Sequence, residues 1–361
     1  MNEYDIIVVG AGVAGLSAAA FLAQDANVLV LERESQPAYH SSGRSASVYI
    51  EGYENPVVAD LTKLAGPFFR DPPPGFTDTP LLHARGGLTA ARPGEERLLE
   101  KYLAQWQPLC PDLIYQDKEA TIGRCRILDP NSVACGGWDP TWMSIDTHAL
   151  ILGYQRMLRE RGGSLQADSE VTALSKQGSN WQITTTTDEY SAPVVVNAAG
   201  SWAGRIGELL GLSKPLTPMR RTGVIVAAPE DVGDWPLVHT VTGDMYFKPE
   251  SPGLMISPAD ETPSPPTDAQ PEELDIAIAI DRFQSYTTHP VDRPMHTWAG
   301  LRTFAPDRYP IVGFDQDAPG FFWLAGQGGF GVQTSPEMGR LTASIINHSE
   351  PVPDEINAAR F

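Results

Sequence analysis

Positive charge is scarce in this chain: 26 lysines and arginines stand against 45 aspartates and glutamates, a formal net charge of −19. A surface of that sign repels nucleic acid and anionic lipid, so neither is expected as a partner. Cysteine is scarce too. Cys110, Cys125 and Cys135 are odd in number and lack metal-ligand spacing such as C-x-x-C, which argues against a metal centre and fits three structural thiols in a reducing, cytoplasmic setting. No internal repeat is visible. Residues 6 to 23 carry no charged side chain and are long enough to cross a bilayer. Three glycines in the first ten of those positions argue against a membrane span, and so do Glu3 and Asp5 where a basic flank would be needed.

That uncharged run reads instead as the start of a dinucleotide-binding βαβ unit. Ile6 to Val9 is a short apolar strand, Gly10 allows a tight turn, and Gly12 lets backbone amides approach a pyrophosphate at a helix N-terminus. Gly15 lets the helix pack closely on the strand. A second strand, Asn27 to Leu31, ends in Glu32, about 20 residues past the glycines, where a carboxylate accepts hydrogen bonds from ribose hydroxyls. An acid there disfavours a 2′-phosphate.

With 361 residues, 42% of them apolar, the chain can bury a large core and is expected to form two domains. Helical patterns fall at 55–69, 95–107, 146–161, 202–210 and 335–347, with another helix near 271–285 after the Pro/Asp-rich run 257–273. Strands are expected at 164–174, 181–187, 193–198, 219–227, 245–248, 298–304 and 321–325. Two of these segments extend the nucleotide reading. Val194 to Trp202 is a buried strand ending in the small residues Ala198, Ala199 and Gly200. Gly326 to Thr334 is a second glycine-rich turn before a helix expected to open at Ser335-Pro336. A positive helix end beside a flavin ring stabilises the negative charge that reduction creates, a need no nicotinamide enzyme shares at this point.

Four longer motifs carry a resemblance: Leu31 to Ala46, Asn197 to Trp202, His296 to Phe304, and Gln327 to Thr334. On these the chain resembles the D-amino acid oxidase/glycine oxidase superfamily of FAD enzymes, and within it the bacterial FAD-dependent D-arginine dehydrogenases. The resemblance covers nearly the whole length. It implies an α/β (α+β) architecture: a Rossmann-like FAD-binding domain of the glutathione-reductase-2 type over 1–46, 141–215 and 301–361, interleaved with a mixed-sheet substrate domain over 47–140 and 216–300. It implies noncovalent FAD. Gly10, Gly12, Gly15, Glu32 and Arg33 would hold the adenosine diphosphate half, and Ser41, Ser42, Gly43, Arg44, Ser45 and Ala46 would wrap the pyrophosphate and approach the ring. Val171 would touch adenine through its backbone, Ala199, Gly200 and Trp202 would lie along the cofactor, and Arg302 with Gly329, Phe330, Gly331, Val332, Gln333 and Thr334 would border the isoalloxazine.

The same resemblance implies oxidative deamination of a D-amino acid by hydride transfer from Cα to flavin N5, the imino acid then hydrolysing to a 2-oxo acid and ammonia. Arg221 and Arg302 would pair with the substrate carboxylate, which suits arginine's planar, permanently charged fork. Tyr53 and Tyr246 would orient that carboxylate and close the site, Tyr53 from a Gly- and Pro-marked loop that could gate it, and Gly331 would border the substrate pocket. Arg220, next to Arg221 on a strand, should point to the opposite face and form an ion pair there. Two departures bear on substrate choice. The D-arginine enzymes have a glutamate where this chain has Gly87 and a histidine where it has Val48, so the pocket is expected to be apolar or open and to prefer neutral residues such as leucine, methionine or phenylalanine. Glu51 or Glu54 is the fallback acid. The alternatives are a glycine- or sarcosine-type secondary amine oxidase, a 2-hydroxy acid oxidoreductase, for which none of the seven histidines offers an evident base, and a flavin-holding binding module without turnover. Oxygen or a quinone-type carrier would be the electron acceptor.

Overall fold

The computed structural model describes residues 2–229 and 232–361. A six-stranded sheet runs in the order Ser164–Gln166, Val28–Leu31, Ile6–Val9, Val194–Asn197, Phe321–Ala325, Ile311–Phe314. All neighbours are parallel except the last pair. The chain leaves Ile6–Val9 toward Val28–Leu31 on one side, and Val194–Asn197 arrives on the other. The order of strands therefore reverses at Ile6–Val9, which opens a crevice outside the carboxyl ends of the strands.

The helix Val13–Leu22 follows through Gly10, whose φ of +101° suits glycine alone. A Cβ on Gly15 would lie 1.9 Å from the Gly10 carbonyl oxygen, so helix and turn touch only because that side chain is missing. Val13–Leu22 packs against the C-terminal helix Gly331–Ile346. The uncharged run 6–23 is thus core. No helix among the described residues is long and apolar enough to cross a membrane.

Gly331–Ile346 begins earlier than the expected opening at Ser335-Pro336, and Pro336 lies inside it. Proline has no N–H for the Val332 carbonyl, and the Ser335 hydroxyl donates to that carbonyl instead, at 3.0 Å. The expected strand 164–174 is two strands, Ser164–Gln166 and Val171–Gln177, in different sheets. The other helical expectations match Pro56–Arg70, Glu96–Trp106, Thr147–Glu160, Ala203–Glu208 and Glu273–Tyr286 to within a few residues.

A nine-stranded mixed sheet covers the crevice. Its order is Thr262–Pro263, Thr217–Val226, Gly253–Ser257, Tyr246–Glu250, Leu237–Thr240, Gly87–Ala91, Cys135–Asp139, Ile114–Asp117, with His296–Phe304 also paired to Thr217–Val226. Residues directly opposite one another share a face, so the register Arg221↔Gly300 and Met219↔Arg302 puts both arginines on one face and Arg220↔Leu301 on the other. His296–Phe304 runs through the expected domain boundary at 300/301. All three cysteines are buried and unpaired, and burial pushes their thiols up, Cys110 to about 11 and Cys125 to about 12.

Candidate active site

A continuous cavity of about 370 Å³ runs from the carboxyl ends of the six-stranded sheet to the underside of the nine-stranded one. Glu32 marks one end. Its Oε2 accepts from Ala11 N at 2.7 Å and its Oε1 from Glu34 N at 2.9 Å, so the acid braces the glycine turn as well as facing the cavity. Arg33 lies over the Trp202 ring at 4.9 Å, and Val171 completes this part of the wall. His40 is engaged by Glu34, with Nε2 to Oε1 at 2.8 Å.

The loop after His40 crosses the cavity and is tied to the far sheet. Ser41 Oγ donates to Leu301 O at 2.5 Å, and the Arg44 guanidinium binds the Ala269 and Ala299 carbonyls and Asp268. Ser42 Oγ accepts from Val13 N at 3.0 Å. Two helix N-termini reach the wall, at Gly12–Ala14 and at Gly329–Val332. Neither has an acidic residue in its first turn, and in neither does the N-cap residue's own side chain bond the helix amides. On the same wall Gln327 Nε2 is buried with no partner among the described residues.

At the other end Arg221, Arg302 and Tyr246 converge. Arg221 donates from Nε to Asp260 O at 2.8 Å and pairs through Nη2 with Glu261 at 3.1 Å. Arg302 has no ion-pair partner among the described residues. Burial and the neighbouring Arg302 charge lower the pKa of Arg221. Burial opposes the Arg302 charge as well, but Tyr53, Tyr246, Glu261 and Glu54 outweigh it and keep its pKa above the ordinary arginine value. Burial pushes the Tyr246 phenol up, yet the Arg302 and Arg221 charges prevail and hold it below the usual tyrosine range. Two half-buried cations on one cavity wall that draw even a phenol toward ionisation favour an anion between them. Arg220 lies on the opposite face, paired with Glu272 and, at 2.9 Å, with Asp275.

The expected site residues fall into two sets. Gly10, Gly12, Glu32, Arg33, Ser41, Ser42, Arg44, Ser45, Ala46, Val171, Ala199, Gly200, Trp202, Arg221, Tyr246, Arg302, Gly329, Gly331 and Val332 line the cavity. Gly15, Gly43, Phe330, Gln333, Thr334, Tyr53, Val48 and Gly87 do not. Phe330 is buried against Val58 and Phe304. The Gln333 side chain exchanges hydrogen bonds with the Ile50 backbone and donates to Thr62 Oγ1, and the Thr334 hydroxyl caps the Phe330 carbonyl. Because the helix starts at Gly331, successive residues turn away from the wall. The fallback acids are committed elsewhere, Glu51 to Arg70 and the Tyr49 hydroxyl, and Glu54 to Arg308. Met255, Trp298 and Gln327 line the cavity without having been singled out in the sequence; the last two stand inside the motifs that did stand out.

Tyr53 comes close from behind the glycine turn. A Cβ on Gly329 would fall 2.7 Å from Arg302 Nη1, 3.0 Å from its Cζ and 3.2 Å from Tyr53 Oη. The missing side chain is the space in which guanidinium and phenol sit. Gly329→Ala is therefore expected to displace Arg302 and weaken binding of a carboxylate ligand about tenfold, the order of one charged hydrogen bond. Calorimetric titration with a simple carboxylate checks this, and an unchanged Kd would refute it.

Comparison with known proteins gives the following. The family described as DAO, FAD dependent oxidoreductase, matches residues 5–345. Human mitochondrial dimethylglycine dehydrogenase is 25% identical over 248 residues, covering 62% of this chain and 28% of that protein. The chain thus spans less than a third of the length of that curated relative. Among solved structures, glycine oxidase from Geobacillus kaustophilus superposes with a TM-score of 0.88 at 21% identity, covering 100% of both chains. FAD-bound L-alpha-glycerophosphate oxidase from Mycoplasma pneumoniae does so at 0.84 and 19%, over 96% of this chain and 95% of that one. At such identities these structures share the fold.

Proposed function

Because the chain belongs to the DAO family of FAD dependent oxidoreductases, we propose that it oxidises the Cα–N bond of a D-amino acid with a neutral or hydrophobic side chain. The observation that carries the proposal is the half-buried pair Arg221 and Arg302 beside Tyr246 at one end of the cavity that begins at the Gly10–Gly12 turn.

The residues present fit FAD. The helix N-termini at Gly12 and Gly331, neither with an acid in its first turn, suit the diphosphate and the pyrimidine edge of the flavin, and the orphan Gln327 amide offers a donor. Glu32 would accept from the ribose, Val171 would lie along adenine, and Ala199, Gly200 and Trp202 along the linker. When bound, FAD supplies the two-electron acceptor for the oxidation. Arg302 and Arg221 would anchor the substrate carboxylate in a bidentate fashion, and Tyr246 would donate to it and exclude water. Arg302 carries the larger share, since Glu261 and the Asp260 carbonyl already occupy part of Arg221.

The acids and the histidine on the wall, Glu32, Glu170 and His40, border the cofactor half of the crevice. A 2-hydroxy acid substrate needs a base to take its hydroxyl proton, so that reading is weaker. An amine needs none once it arrives neutral. The substrate then gives up two electrons and two protons to become the imino acid, which water converts to a 2-oxo acid and ammonia; oxygen or a quinone-type carrier takes the electrons onward.

A second reading, oxidation of glycine or an N-methylglycine, is favoured by one observation: Val48 and Gly87 stand outside the cavity wall and an indole lies against Gly87, which suits a substrate with little or no side chain. Product analysis separates the two. Equal amounts of 2-oxo acid and ammonia from D-alanine support the first; aldehyde release from N-methylglycine, with no turnover of D-alanine, supports the second. Turnover of neither sinks both.

FAD is expected to be held without a covalent bond. None of Cys110, Cys125 and Cys135 lines the cavity, and His40 is engaged by Glu34. Acid precipitation should leave all the flavin in the supernatant; flavin fluorescence that stays with the pellet would contradict this.

A further inference from the structure

We propose that Trp142 is a specificity-determining residue whose indole closes the side-chain end of the substrate site and restricts substrates to short, uncharged side chains. The proposal rests on the amino-acid reading above and narrows it.

The geometry starts at Gly87, which the sequence suggests is an open or apolar position. It is neither open nor free. A Cβ built there would lie 2.0 Å from Trp142 Cδ2 and 2.2 Å from Cε3, so the indole lies directly against that backbone. Trp142 is 4% exposed and packs with Ile50 and Leu237; Val48, Tyr53 and Tyr246 pack against the same cluster. Of this layer only Tyr246 lines the cavity, so the indole stands one residue behind the wall. A substrate anchored at Arg302 and Tyr246 would meet this layer with a side chain that extends past Tyr246.

The indole is fixed rather than adaptable. Its own carbonyl accepts from Arg85 N at 3.1 Å and Gly86 N at 2.8 Å. Its face stacks on His239, with centroids 5.3 Å apart and planes at 25°. His239 is in turn held by Thr89, Nε2 to Oγ1 at 2.7 Å, and stands opposite Tyr246 in the sheet. Burial brings the His239 pKa down to about 4, so the ring behind the indole is neutral at working pH. The side chains of this layer, Trp142, Ile50, Leu237 and the neutral His239, carry no charge, and the Asp139 carboxylate opposite Gly87 in the sheet is engaged by the amide and hydroxyl of Thr141; a packed apolar layer of this kind disfavours both a cationic and a bulky side chain.

The test compares the FAD-loaded wild type with Trp142→Ala and, because removing a buried indole can unfold a protein, with the milder Trp142→Phe. The quantity read is the ratio of kcat/KM for D-phenylalanine to that for D-alanine. A pocket that gains several carbon atoms of space should raise this ratio about tenfold or more, with Trp142→Phe moving in the same direction by less. A ratio within twofold of wild type in a folded, flavin-loaded variant overturns the proposal. A calorimetric arm uses acetate and 3-phenylpropanoate, whose affinity ratio should shift in the same way. If wild type turns over no amino acid yet binds acetate, the functional reading fails and the affinity ratio alone decides the role of Trp142: no shift overturns it.

Discussion

Arg302→Ala is expected to lower kcat/KM by roughly thirty- to several-thousandfold while the protein keeps its flavin, because truncating one side of a buried, hydrogen-bonded charge pair costs about 2–5 kcal/mol. Arg302 has no ion-pair partner of its own among the described residues, and its charge is held up by Tyr53, Tyr246, Glu261 and Glu54. In the proposed reaction the substrate carboxylate would be that partner. Arg221→Ala should act in the same direction with a smaller loss, since Glu261 and the Asp260 carbonyl already share that guanidinium. Arg220→Ala is the internal control: it removes the partner of Asp275 on the other face of the sheet, so it should lower the melting temperature and leave kcat/KM per folded molecule in place. Steady-state kinetics on the three variants decide the matter. If Arg220→Ala costs as much activity as Arg302→Ala, the assignment of faces is wrong.

Glu32→Ala is expected to weaken FAD binding by about ten- to a hundredfold, the equivalent of roughly 1.5–3 kcal/mol for a lost charged acceptor. The loss should sit toward the upper part of that range. Besides facing the cavity, the carboxylate holds the amides of Ala11 and Glu34, so its removal also loosens the turn that Gly10 and Gly12 form. Fluorescence titration of the deflavinated protein with FAD measures the change. Glu32→Gln, which keeps one acceptor, should fall between wild type and alanine; an unchanged Kd in Glu32→Ala would remove Glu32 from the cofactor site.

These expectations differ in how far the sequence alone could carry them. The turn at Gly10, Gly12 and Gly15 with its acid at Glu32 is legible because every part lies within one βαβ unit and has a local backbone reason. Strand alternation sufficed to send Arg220 away from Arg221. Six of the nine strands of the large sheet were not legible, and for two of them the reason is composition: Gly87–Ala91 and Cys135–Asp139 are rich in glycine and alanine, which carry little strand signal. The start of the last helix was obscured by Pro336, whose lost hydrogen bond is replaced by a serine hydroxyl. Position 87 was legible only in part: the missing carboxylate left an apolar or open place as the expectation, and only the fold brings in the indole of Trp142 that occupies it.

Anaerobic mixing of the flavin-loaded protein with a panel of substrates tests the central claim most directly, since it reads the first oxidation whatever the later electron acceptor. The panel holds neutral D- and L-amino acids, glycine, N-methylglycine, D-arginine, D-lysine and 2-hydroxy acids. The account predicts that the oxidised flavin band bleaches with neutral amino acids or N-methylglycine, and that Arg302→Ala slows this bleaching sharply. Fastest bleaching with D-arginine, or a band that no member of the panel bleaches, would contradict it.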